Sequence, residues 1–277
     1  MPTINLENCT SCLKCVKDCP SNAISIEQGS INTNCIHCGH CVAICPESTI
    51  FPDNDIISKL RPNTVLPEDF QNLSAGIRTC RSYRKKEVDE ATLKLLVDNM
   101  KHYPSASNAR PVKITLVRTQ ENIQKLNDLT AEKLLGSISL ITSPLIRPFL
   151  QVLAPKLDLS RLHKYKKQYR KRHTPGSSLV CHHAPAVILF HAPVTKYSMA
   201  AADANIWATY TSIYANTLGL GTCFNGFISK AMERSRSMRK EFKIPKSHQV
   251  YAALLIGHPR VTYINEAGRE KPQAAFI

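Results

Sequence analysis

No stretch of this chain reaches the roughly 18 apolar residues in a row that a membrane-spanning helix requires, although 43% of its 277 residues are hydrophobic. Its beginning, Met1-Pro2-Thr3-Ile4-Asn5, lacks a basic segment followed by an apolar run, and the expectation is a soluble, cytoplasmic protein with no membrane span. Helix-turn-helix, zinc-finger and aromatic RNA-binding signatures are also missing, so the formal charge of +15 does not point to nucleic acid. That charge is unevenly divided. Residues 1–58 carry Lys14 and Lys17 against Glu7, Asp18, Glu27, Glu47, Asp53 and Asp55, a balance of −4, which leaves +19 for the remainder. An acidic first part and a basic second part suit an acidic redox partner, an anionic cofactor, or each other.

Cysteine, by contrast, is abundant, and eight of the eleven fall into a repeat. Cys9-x2-Cys12-x2-Cys15-x3-Cys19-Pro20 recurs as Cys35-x2-Cys38-x2-Cys41-x3-Cys45-Pro46, each position displaced by 26. This is the ligand pattern of two 4Fe-4S clusters in which the fourth cysteine of each run reaches the other run's cluster. One cluster is then expected on Cys9, Cys12, Cys15 and Cys45, the other on Cys35, Cys38, Cys41 and Cys19. Three thiolates on one tight loop can each cap a different iron of a cubane, and the fourth iron must be met from elsewhere. Zinc sites pair their cysteines across a longer loop, and disulfides do not suit an intracellular chain. The run resembles the bacterial two-cluster ferredoxins over residues 1–56. Ile24-Ser25-Ile26 and Ile31-Asn32-Thr33, joined around Gln28-Gly29, are expected to form a small hairpin between the halves.

Residues 57–75, with Pro62 and Pro67 and little periodicity, are expected to link this module to a second domain over 76–277, long enough for a large core. There, Ile77-Arg78-Thr79-Cys80-Arg81-Ser82-Tyr83-Arg84 precedes a helix predicted from about Asp89 to His102, with Asp89 as N-cap and Leu93, Leu96, Val97 and Met100 on one face. Pro104-Ser105-Ala106-Ser107-Asn108-Ala109-Arg110-Pro111 is a polar loop, of the kind that carries ligands on a rigid frame, and Val112 to Val117 is a predicted strand. Residues 120–136 are predicted helical. Arg161 to His173 holds nine basic residues counting histidine, which suits a solvated helix face or a flap that attracts anions. Cys181-His182-His183 precedes the buried-strand run Ala186 to Phe190. In an extended segment those three side chains would alternate between faces and need ligands from elsewhere. Tyr197 to Leu218 is predicted as a largely apolar helix, buried centrally or in a subunit interface. It runs into Gly219-Leu220-Gly221-Thr222-Cys223, whose glycines permit a close approach of backbone to a flat ring. Cys223 is expected to serve packing, and Gln249 to Ile256 is a further apolar strand.

Arg78-Thr79-x-Arg81-x-Tyr83, Pro104-Ser105-x-x-Asn108-x-x-Pro111, Asp203 before Gly-Leu-Gly-Thr, Gly257-His258-Pro259 and Arg269-x-Lys271-Pro272 together resemble the nitroreductase family. Ile77, Thr79, Arg110 and Val112 depart from its usual residues. The resemblance implies an α+β fold, with an antiparallel-rich sheet flanked by helices, and a homodimer with FMN at the interface. It implies Arg78, Thr79, Arg81, Arg269 and Lys271 at the phosphate and ribityl chain, where a guanidinium fork matches phosphate oxygens. It places Ser105, Asn108, Arg110 and the Gly219, Leu220, Gly221 and Thr222 backbone near the ring. The implied activity is an iron-sulfur flavoprotein oxidoreductase that reduces nitroaromatics, quinones or similar conjugated small molecules, with NAD(P)H or a ferredoxin-like protein as donor and the chemistry on FMN N5. No side chain stands out as a proton donor. Two other roles share these features: an electron-transfer protein serving a redox protein partner, and a biosynthetic flavoenzyme on the same fold.

Overall fold

A computed structural model describes residues 1–52, 59–62, 64–146, 164, 166, 167, 169–171, 174, 176–195 and 199–277. The chain divides into two compact units, one made of Met1–Val65 with Pro104–Arg110, the other of Leu66–Tyr103 with Pro111–Ile277.

In the first unit, strand β1 (Thr3–Ile4) pairs antiparallel with β4 (Ile50–Phe51), and β2 (Ile24–Ser25) with β3 (Ser30–Ile31). The β2–β3 pair is the hairpin expected between the halves. Two short helices, Lys14–Lys17 and His40–Ile44, begin 26 residues apart. The left-handed residues follow the same repeat: Ser11 and His37 (φ 50° and 54°), Leu13 and Gly39 (58° and 77°), Asn22 and Ser48 (50° and 54°). Equal spacing of cysteines thus produces equal backbone turns. The apolar core is small, centred on Cys15, Cys41 and Ile50, with Ile4, Ile24, Ile26 and Ile31 packed partly buried around it. So little buried surface gives the unit only a marginal apolar core of its own.

The second unit is built on a four-stranded, wholly antiparallel sheet. Its order is β5 (Lys113–Val117), β6 (Ala186–Pro193), β8 (His248–Gly257), β7 (Gly221–Phe224). Alternation sends Val187 and Leu189 to one face and Ile188 and Phe190 to the other. On the first face they meet Ile123 and Leu126 of helix Gln120–Ile141 and Ile228 and Met232 of helix Gly226–Arg234. On the other they meet Leu93 and Leu96 of helix Glu90–Asn99 and Ala204, Trp207 and Ala208 of helix Ala200–Thr217. Both central strands are therefore covered on both sides and read as continuous apolar runs. This is the α+β arrangement with an antiparallel sheet flanked by helices that the resemblance implied.

Asp89 caps its helix as expected, its Oδ1 accepting from Thr92 N at 2.8 Å. The α-helix stops at Asn99 and a 3-10 turn completes it from Met100 to His102, while Val97 lies at the exposed edge. The stretch expected as a linker contains a helix, Pro67–Gly76. It buries no residue, so it leaves no hydrophobic period in the sequence. Its start signals are local: Pro67 in the first turn and Asp69 Oδ2 accepting from Leu66 N at 3.3 Å. Most of the basic run Arg161 to His173 lies outside the described residues.

Candidate functional site

The cysteine repeat walls two chambers in the first unit. One is lined by Cys9, Cys12, Cys15 and Cys45 with Ile4, Leu13, Ile26 and Ile50. The other is lined by Cys19, Cys35, Cys38 and Cys41 with Ala23, Ile24, Ile31 and Ile36. The fourth cysteine of each run thus faces the other run's chamber. Four thiols in an apolar wall are the donor set of an iron-sulfur cluster. Among the described residues, no group of three or more His, Cys, Asp or Glu converges on a single-ion position.

The crossing cysteines are held by donors. Cys19 Sγ accepts from Ala23 N at 3.3 Å, and Cys45 Sγ from Thr49 N at 3.4 Å, with Thr49 Oγ1 3.3 Å away. Burial raises both thiols, but the hydrogen bonds outweigh it and leave them below their ordinary values, poised toward the thiolate that binds metal. Cys15 and Cys41, deeper in the core, are pushed up by burial.

In the second unit, three of the sequence segments singled out above come together. Thr79 bridges to Thr222, and Cys80 N donates to Thr222 O at 2.8 Å. Tyr83 bridges to Pro259, Arg84 N donates to His258 O at 2.8 Å, and Arg260 N to Ser82 O at 2.9 Å. Residues 79–84 are therefore stitched to the start of β7 and to the turn after β8. Tyr83 is fixed by its hydroxyl, which donates to Cys80 O at 2.8 Å, and burial pushes its pKa up. Thr222 is buried and spends its hydroxyl inside, 2.6 Å from Ser212 Oγ on helix Ala200–Thr217, as it spends its carbonyl on Cys80 N. Asp203 is buried on the same helix.

The glycines of the 219–222 turn differ in purpose. Gly219 has φ +73° and open space where a Cβ would stand, a left-handed residue closing the helix end. At Gly221 a Cβ would lie 2.8 Å from both Cβ and Sγ of Cys80. Its close approach is to the protein's own Thr79-Cys80 segment, whereas the sequence reading assigned it to a flat ring.

Arg81 and Thr79 are exposed and Arg78 is half-buried, its Nη1 donating to Ile77 O at 2.9 Å and to Ala75 O. Arg81 lies close enough to His182 to help burial lower its pKa, and close enough to Cys223 to oppose the raising effect of burial there. Cys223 is buried with a raised pKa, the state of an unreactive packing thiol. Cys181, His182 and His183 form a turn, not the extended segment expected: both histidines are left-handed, at φ 52° and 57°. Cys181 is fully buried and pushed up to about 12 by burial. The tail 261–277 is exposed and carries no helix or strand, and Arg269 and Lys271 lie on it.

Ser105, Asn108 and Arg110 belong to the first unit. Ser105 Oγ accepts from Arg110 N at 2.9 Å, and Ser107, Asn108 and Arg110 are all left-handed. The Asn108 amide donates to His37 O at 2.7 Å and to Ile36 O at 3.2 Å.

Sequence reasoning missed the polar supports behind these segments. Buried Asn127 accepts from Val180 N at 2.9 Å and Cys181 N at 3.2 Å and donates to Ser177 O at 2.8 Å. Asn225 Nδ2 donates to Val180 O at 2.7 Å while its Oδ1 caps helix Gly226–Arg234 through Ile228 N. The available signal was an asparagine on the apolar face set by Ile123, Leu126 and Thr130, where an unsatisfied polar group would be costly.

Comparison with known proteins gives two family matches: the nitroreductase family over residues 75–258 and the 4Fe-4S dicluster domain over residues 1–46. No curated protein matches. Among solved structures, the chain is similar to a nitroreductase with bound FMN from Desulfitobacterium hafniense DCB-2, at TM-score 0.57 and 17% identity, covering 75% of this chain and 97% of that one. A nitroreductase with bound FMN from Bacteroides fragilis NCTC 9343 follows at TM-score 0.56 and 16% identity, with the same coverage. A BluB-like flavoprotein from Clostridium difficile 630 has TM-score 0.55 and 14% identity, covering 73% of this chain and 94% of that one. At these identities the likeness is one of fold.

Proposed function

Because this chain belongs to the nitroreductase family, by its match over residues 75–258, we propose that it is an iron-sulfur flavoprotein oxidoreductase that reduces nitroaromatics, quinones or similar conjugated acceptors. When bound, two 4Fe-4S clusters supply single electrons and FMN supplies two-electron reduction at N5, with NAD(P)H or a ferredoxin-like protein as the source. The observation that carries this reading is the stitching of residues 79–84 to the Gly221-Thr222 turn and the His258-Pro259 turn.

Those contacts fix the Thr79 and Arg81 backbone beside exposed positions suited to a phosphate and a polyol. Arg78 and Arg81 supply cationic forks for phosphate oxygens, and Thr79 supplies a hydroxyl. The Gly219-Leu220 turn, whose N–H groups are spent on Asn216 O and Ala215 O, would meet the ring through its peptide planes, held in place by the Ser212–Thr222 bond. Arg269 and Lys271, on the exposed tail, add charge at the phosphate. Positive groups near the pyrimidine edge of the ring favour its anionic reduced form. With no acidic side chain in the stitched segments, water is the proton source for the acceptor. In the first unit, Cys9, Cys12, Cys15 and Cys45 hold one cluster, and Cys35, Cys38, Cys41 and Cys19 the other. The protein acts as a cytoplasmic homodimer, with helix Ala200–Thr217, which exposes Ile206 and Tyr210, at the subunit contact.

The test is anaerobic purification of the full chain with iron, sulfide and flavin analysis and turnover with NAD(P)H and a nitroaromatic. About eight irons per chain are expected, with FMN. Cys45→Ala should lose about half the iron, from the first chamber alone. Protein without flavin, or a Cys45→Ala variant with full iron, would refute the assignment.

A further inference from the structure

The 26-residue repeat makes the two cysteine chambers near-equivalents, both in their walls and in the left-handed turns that carry their ligands. One contact breaks the equivalence. Asn108 Nδ2 donates to His37 O and Ile36 O, at 2.7 Å and 3.2 Å. Both carbonyls lie between Cys35 and Cys38, two of the four cysteines of the second chamber. Their counterparts in the first chamber, Thr10 and Ser11, receive no such donor among the described residues.

The contact also reaches a sulfur. The Ile36 carbonyl and the His37 N–H are the two ends of one peptide group, and that N–H donates to Cys35 Sγ at 3.4 Å. Donation into the carbonyl polarises the peptide and strengthens its N–H as a donor, so Asn108, the 36–37 peptide and the Cys35 sulfur form a cooperative chain. Hydrogen bonds to ligand sulfurs are among the factors that set a cluster's potential. They favour the reduced, more negative form.

Resting on the flavoprotein reading above, we propose that Asn108 is a positioning residue coupled to the second chamber and not to the first: through the 36–37 peptide it strengthens the hydrogen bond to Cys35 Sγ, and so would set the reduction step of a cluster held by Cys19, Cys35, Cys38 and Cys41 apart from that of its near-equivalent.

The experiment uses the full-length protein reconstituted with iron, sulfide and FMN, compared with Asn108→Ala and the isosteric Asn108→Asp, both of which remove the donor. Redox titration followed by electron paramagnetic resonance reads the two clusters separately, and hydrogen exchange reads the loops. In both variants one reduction step is expected at a more negative potential and the other unmoved. Amides of residues 35–38 and 104–110 should exchange on the order of tenfold faster, as the loss of two hydrogen bonds implies, with residues 9–13 unchanged. Both steps shifting together, or neither shifting while iron and flavin are retained, would overturn the coupling. Wild-type protein that keeps neither iron nor flavin would overturn the parent reading, and the coupling with it, whatever the exchange rates show.

Discussion

Gly221→Ala should destabilise the second unit and weaken flavin retention together, because a Cβ at that position has nowhere to go. It would stand 2.8 Å from Cys80 Cβ, 2.8 Å from Cys80 Sγ and 3.3 Å from Pro259 Cβ, where ordinary contact between carbons begins near 3.5 Å. The sulfur could rotate aside, but the Cys80 Cβ cannot, since its backbone is held by Cys80 N to Thr222 O and by Tyr83 Oη to Cys80 O, both 2.8 Å. Relief must come from parting the 79–84 segment from β7. Overpacking of this kind costs about 1–3 kcal/mol, which for a unit of this size lowers the melting temperature by roughly 2–4 °C per kcal/mol. Thermal denaturation by circular dichroism, with flavin per chain measured on the same samples, reads both effects. The cause is isolated by a double-mutant cycle with Cys80→Gly, which removes both clashing atoms. The penalty of Gly221→Ala should shrink by about 1 kcal/mol or more in that background. A Gly221→Ala protein that melts within a degree of wild type, or one whose penalty is the same with and without the Cys80 side chain, would refute the stitching as the support of the site.

Two further outcomes follow from buried polar groups. Asn127→Ala removes the acceptor for Val180 N and Cys181 N and the donor to Ser177 O. Stranding two buried N–H groups should cost about 3 kcal/mol, seen as a lower urea midpoint with an unchanged slope; a loss within 0.5 kcal/mol, the usual range for surface changes, would mean that these bonds do not hold the 177–183 turn. His191 is buried, with Nδ1 2.8 Å from His248 Nδ1 and Nε2 3.2 Å from Thr115 Oγ1, and burial, then the His248 and Lys113 charges, lower its pKa to about 4. Below pH 6.5 the unfolded chain takes up a proton that the folded chain refuses until about pH 4, so stability should fall as pH drops through that window. Denaturant titrations of wild type and His191→Gln at pH 7, 5.5 and 4.5 check this: a slope equally steep in the variant would assign the acid sensitivity to other groups.

The sequence disclosed most where chemistry imposes a period or a fixed spacing. The cysteine runs led to two chambers lined by crossed fourth cysteines, with the same left-handed turns at Ser11 and His37, Leu13 and Gly39, Asn22 and Ser48. Strands β6 and β8 were legible as apolar runs, since helices cover both of their faces. Helix Pro67–Gly76 was not, because it buries nothing and so has no pattern to show. Cys181 to His183 was misread as extended because its turn is closed by Asn127, more than fifty positions away, together with Ser178 just upstream. Asn108 belongs to the same class. Its loop could be recognised as polar and ligand-like, but which groups it would address depends on residues more than seventy positions away.

That dependence gives the repeat its meaning. Two half-modules built on one repeat are near-equivalent in their cysteines and turns. A donor that reaches only the Ile36 and His37 carbonyls makes the halves unequal without altering a single cysteine. The asymmetry rests on one amide and two carbonyls in a loop whose left-handed residues, Ser107, Asn108 and Arg110, each carry a conformational cost. Such a loop keeps its shape only while its anchors hold. Losing the Asn108 donor should therefore change the two potentials unequally before it changes the fold.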